Sequence, residues 1–80
     1  MTTRKPDYLK EGLLEFIRQG PTSLDECVVE GGALMKRNGF KGSSTSDDVR
    51  MRVYEKLHQL KAVGFVTTDR SVKPPLFAAA

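Results

Sequence analysis

The chain has 80 residues, a formal net charge of +3 and a single cysteine, with 39% apolar and 29% charged residues. That length allows one domain with a small core, burying roughly 60–65% of its unfolded surface and leaving little room for a deep catalytic cleft. The composition fits a globular fold and excludes wholesale disorder, and no apolar run approaches the ~18 residues of a membrane span.

Cys27 is alone, so no internal disulfide can form. This points to a reducing, cytoplasmic compartment, nucleoid-associated if the protein binds DNA. The opening "MTTRKPDY" has no apolar core after its charges and is not expected to be a secretory signal. Cys27, His58 and the carboxylates show no metal-ligand spacing, so neither a metal nor a cofactor is expected. The mild excess of positive charge permits nucleic-acid binding without requiring it.

Residues 1–6 read as a flexible lead, residues 7–78 as the single domain and residues 79–80 as a tail. Pro6 and Asp7 suit a first helical turn, by fixed φ and by charge respectively. Leu9, Leu13, Phe16 and Ile17 then form the apolar stripe of a first helix, with Tyr8 and Leu14 on its borders. Gly20-Pro21 ends it.

Ser23 and Glu26 have capping-box spacing, so a second helix is expected from about Leu24. Its stripe is Leu24, Cys27, Val28, Gly31, Leu34 and Met35. Gly31-Gly32 has two explanations: close approach of another helix, or a break into two short helices. Each glycine costs ~1 kcal/mol relative to alanine in a helix, so the pair needs one of them. Asn38-Gly39 reads as the C-terminal cap, with Phe40 folding back on the helix. "PTS" before this helix is a candidate short strand.

"KGSSTS" is a turn cluster. Thr45, with Asp48 three residues on, is a candidate cap for a third helix, with Ser44 and Ser46 as rivals. Val49, Val53, Leu57 and Leu60 make its apolar stripe, extended by Val63, and Gly64 ends it. "FVTT" and "PLFA" are β-prone and suit a hairpin joined by "DRSVKPP". Phe65 is expected to drop between the helices as the first strand begins. The fold class is thus α+β, mainly α: three helices followed by a C-terminal β-hairpin.

That order, and the run "VYEKLHQLKAVGFVTTDR…PPLFA", resembles a winged helix-turn-helix domain. The resemblance spans residues 7–78 and is carried by Leu57, Leu60, Gly64, Phe65, Val66, Asp69, Arg70, Leu76 and Phe77. It implies that the third helix enters the major groove of double-stranded DNA and that the hairpin wing lies on the backbone. Counting ~100° per residue, Met51, Arg52, Glu55, His58 and Gln59 project away from the stripe, with Arg50 and Lys56 toward its flanks. The resemblance makes Arg50, Arg52, Lys56 and Gln59 the groove-facing residues, with Arg52 suited to a bidentate guanine contact. Thr45 and Ser46 suit phosphate contacts at the helix start, and Arg70 and Lys73 suit them at the wing. Lys36, Arg37 and Lys41 lie around the preceding turn and add phosphate contacts.

Other features count against DNA. Asp47 and Asp48 at the start of the third helix repel phosphate, and Glu55 shares the outward face. The joint "NGFKGSSTS" is longer than a tight helix-turn-helix turn. The alternative is a winged-helix protein–protein module within a larger assembly. His58 reads as a surface histidine, Cys27 as a small buried hydrophobe and Tyr54 as a packing residue. No paired carboxylates, nucleophile–base set or phosphate loop stands out, so no enzyme is expected. The expected function is non-catalytic DNA binding, by a small transcriptional regulator or a phage or mobile-element factor. It would work as a homodimer or with a protein partner, because one small module binds weakly.

Overall fold

The computed structural model describes residues 7–80, so the expected lead over residues 1–6, with Pro6, lies outside the described residues. The elements run α1 (Tyr8–Arg18), β1 (Thr22–Ser23), α2 (Leu24–Arg37), α3 (Asp47–Ala62), β2 (Val66–Asp69) and β3 (Leu76–Ala79). The fold is a mainly helical α+β domain: three helices and an antiparallel sheet ordered β1-β3-β2. No helix of the described residues is long and apolar enough to cross a membrane.

Local chemistry sets the helix ends. Asp7 caps α1, its carboxylate accepting from the Lys10 amide at 3.1 Å. Ser23 and Glu26 form the reciprocal capping box of α2, with Ser23 N donating to Glu26 Oε1 at 3.0 Å. At α3 the cap is Ser46, one residue beyond Thr45; Ser46 Oγ accepts from the Val49 amide. Both α2 and α3 close with a Schellman motif. Phe40 N donates to Met35 O at 2.9 Å across Gly39, whose φ is +95°, and Phe65 N donates to Leu60 O at 3.0 Å across Gly64, at +85°.

The core joins one stripe from each helix to the sheet. Leu9, Leu13 and Ile17 meet Cys27, Val28 and Met35 of α2 and Val49, Val53, Leu57 and Leu60 of α3. Leu14, Leu24, Leu34 and Phe77 pack partly against them. α2 runs unbroken through Gly31-Gly32, and both glycines are buried. A Cβ at Gly31 would collide with Val53 Cγ2, and one at Gly32 with the carbonyl of Ser44. Close approach is therefore the explanation of the pair, and the α2–α3 loop crosses α2 at Gly32.

The short strand expected from "PTS" is β1, which pairs with β3 at Thr22–Phe77 and Ser23–Leu76. It joins the start of α2 to the hairpin. β2 pairs with β3 from Val66–Ala79 to Asp69–Leu76, leaving residues 70–75 as the connection.

Three expectations need correction. Phe65 does not drop between the helices: it is 54% exposed, and Val66 is the buried residue. Adjacent strand residues face opposite sides, and Val66 and Thr68 hold the core side. Val63 does not extend the α3 stripe, for it is the C-cap and 65% exposed. The chain end is not a tail: Ala79 closes β3 and the Ala80 amide donates to Phe65 O at 3.0 Å.

Candidate functional site

α3 buries one side and presents the rest. At ~100° per residue, Met51, Glu55, His58 and Ala62 lie opposite the buried stripe. Arg50, Tyr54 and Lys61 form a row on one flank, and Arg52, Lys56 and Gln59 a row on the other.

The two rows meet different neighbours. On the second, Lys56 Nζ lies 2.8 Å from Asp7 Oδ2, and both side chains are about two-thirds or more buried. Burial raises the Asp7 carboxyl, but the Lys56 and Lys10 hydrogen bonds and the charges of both lysines outweigh it. The net result is a pKa below the usual value. Lys56 is thus a tie between α3 and the cap of α1, not a free groove-facing cation. Arg52 is exposed and makes no ion pair among the described residues, and Gln59, two turns further along the row, is half-buried.

On the first row, Arg50 Nη2 binds Asp25 Oδ1 of α2 at 2.8 Å, through two well-exposed side chains. Below this pair Tyr54 and His58 stack, with ring centroids 6.3 Å apart and planes inclined by 20°. The row borders a cleft of about 450 Å³ between α3, the start of α2 and the hairpin. Leu24, Leu57 and Phe77 supply apolar wall, Pro74 and Pro75 the hairpin side. Lys61 and Arg70 bring positive charge from opposite sides, and neither makes an ion pair among the described residues. Thr68 also lines the cleft, and its Oγ1 is buried with no hydrogen-bond partner among the described residues.

The other predicted contacts are dispersed. Lys36 and Lys41 are exposed at the end of α2 and in the following loop, while Arg37 reaches Glu30 at 3.7 Å. Thr45 is exposed and its hydroxyl lies 3.0 Å from Ser43 Oγ. Ser46 is engaged as the cap of α3. Lys73 is exposed on the hairpin connection. Asp69 is held below the usual carboxylate range by the hydroxyl and amide of Ser71, which fold the connection back on itself.

Of the predicted residues, Arg50 and Arg70 stand at the cleft or its rim; Arg52, Gln59 and Lys56 lie on the far flank. Lys61 and Asp25 were not expected at the site. The spacing Arg50, Tyr54, His58, Lys61 (i, i+4, i+8, i+11) is a helical stripe and marks Lys61 in the sequence. Asp25 is marked by nothing local, because only the packing of α2 on α3 brings it to Arg50.

No family model matches the chain, and no curated protein or solved structure matches it either.

Proposed function

We propose that the chain is a non-catalytic winged helix-turn-helix module that binds double-stranded DNA, as a small transcriptional regulator or a phage or mobile-element factor in the cytoplasm. In this reading α3 enters the major groove, the hairpin is the wing on adjacent backbone, and a second copy or a protein partner adds affinity. The observation that carries the reading is the convergence of Lys61 from α3 and Arg70 from the hairpin on one concave face. β1 and β3 tie the hairpin to the start of α2, which holds helix and wing in a constant relation. Arg52 supplies the exposed cation for a base edge, with Lys73, Lys36 and Lys41 on phosphates.

The test is a salt-titrated binding assay on mixed-sequence duplex DNA. Replacing Arg52 and Arg70 together by alanine removes one base-edge and one backbone contact, so affinity falls at least about ten-fold and the log–log salt slope falls by about one. An unchanged affinity and slope would sink the groove-reading arrangement.

A second reading, a winged-helix protein–protein module, is favoured by Met51. It is 69% exposed on the outward face of α3, beside Glu55 and one turn from Asp47 and Asp48. An apolar centre among carboxylates suits a protein surface better than phosphate. If duplex DNA moves no amide resonance in residues 43–59 or 68–74, the protein-partner reading replaces the first.

A further inference from the structure

We infer that the cleft between α3 and the hairpin binds a small aromatic carboxylate: a planar apolar body of one or two rings carrying one negative charge. The inference goes beyond DNA binding and does not depend on it.

Two observations carry it. First, the cleft has the size and lining of a small-molecule site. Its volume is about 450 Å³, within the ~300–1,000 Å³ usual for such sites. Phe77 and Leu57 give it an apolar wall, and the stacked Tyr54–His58 pair gives it a flat one. Second, its charge is unbalanced toward positive. Asp25 is held by Arg50, whereas Lys61 and Arg70 have no acidic partner among the described residues. Arg70 offers the planar fork that matches a carboxylate, and Lys61 adds a point charge. A carboxylate placed between Lys61 and Arg70 would be answered by both.

The ring and the charge are both required by this lining. A purely apolar occupant would leave the two cations without a charge partner.

The experiment is an amide chemical-shift titration of the full chain with 2-naphthoate, 2-naphthamide and adenosine monophosphate as separate probes. Expected is saturable movement by 2-naphthoate confined to residues 24–25, 54–61 and 68–77. The neutral amide should bind about ten-fold more weakly, as loss of a charge-assisted bond implies. Lys61→Ala with Arg70→Ala should cost 2-naphthoate about ten-fold and leave 2-naphthamide unchanged. Both side chains are at the surface, so the fold survives their removal, and thermal melts of the variant check this. No saturation at low millimolar 2-naphthoate, equal affinity for the amide, tighter binding of the nucleotide, or an unaffected double variant would each overturn the inference. Because no DNA is present, such a failure leaves the DNA-binding reading standing.

Discussion

Gly31 of α2 lies so close to Val53 of α3 that a β-carbon at position 31 would overlap the Val53 Cγ2 methyl. This contact sets the distance between the two helices and therefore the position of everything α3 displays. Alanine at 31 gains helix propensity of ~1 kcal/mol but must push Val53 out of a filled core. The net expectation is a loss of about 1–3 kcal/mol in urea unfolding. The cost should be largely absent when Val53→Ala already makes room. Equal cost of Gly31→Ala in both backgrounds would show that the contact does not set the spacing.

The strand parity predicts an inverted hierarchy at the start of the hairpin. Val66→Ala removes buried methyls and should cost about 2 kcal/mol. Phe65→Ala, the larger truncation, acts on a half-exposed ring and should cost less than about 1 kcal/mol. The backbone bonds of Phe65 to Leu60 and Ala80 survive either change. Denaturant midpoints of the two variants decide the order.

The Asp7–Lys56 pair gives the fold an acid-sensitive tie. The folded Asp7 carboxyl is held below its usual value, so its stabilising effect is present above the unfolded pKa, near pH 4. That effect is lost as pH falls through the lower folded value. Asp7→Asn keeps a capping oxygen but removes the charge. It should lose about 1 kcal/mol at pH 7, and the gap to wild type should shrink as pH falls through the folded Asp7 pKa. A gap between the two urea midpoints that stays constant from pH 7 to 2 would exclude the pair as the cause.

Arg50 and Asp25 predict a gain. On the DNA-binding reading, Asp25→Asn removes a carboxylate from the phosphate-facing side and releases Arg50 from its 2.8 Å ion pair. Affinity for duplex DNA should rise by about three- to ten-fold, with a steeper salt dependence. Lys56→Ala, by contrast, should lower thermal stability and leave the salt slope unchanged, because Lys56 already serves Asp7.

Cys27 should be inert in the folded protein. It is fully buried, and burial pushes its thiol up to about 11, aided by the charge of Glu26 and opposed by a hydrogen bond to Thr22. Thiol reagents act on the thiolate. At pH 8 a chromogenic disulfide reagent should label the native chain far more slowly than the urea-unfolded chain. Rapid native labelling would show that α2 opens at its N-terminal end.

Local signals proved reliable where the physics is local. The capping box of Ser23 and Glu26, the Schellman endings at Gly39 and Gly64, and the helical stripes all depend on residues within a turn of each other. They are therefore readable from residue spacing alone. The α3 cap was legible only to within three neighbouring hydroxyl residues, since Ser44, Thr45 and Ser46 are equivalent until the loop is anchored against Gly32. The outward face of Phe65 is not legible in this way, because the choice of which of two adjacent strand residues faces inward belongs to the sheet.

Spacing along the chain was thus enough to determine three amphipathic helices, their ends and a β-prone close, because propensity, capping and periodicity act over a few residues. It also marked the exposed basic residues. Which of those cations remain free was decided only by tertiary packing. Lys56 is taken by Asp7 and Arg50 by Asp25, partners 49 and 25 residues away, while Lys61 and Arg70 are brought to one cleft. Charge is a property of a residue, but its availability depends on which opposite charge the fold sets beside it, and no local pattern encodes that.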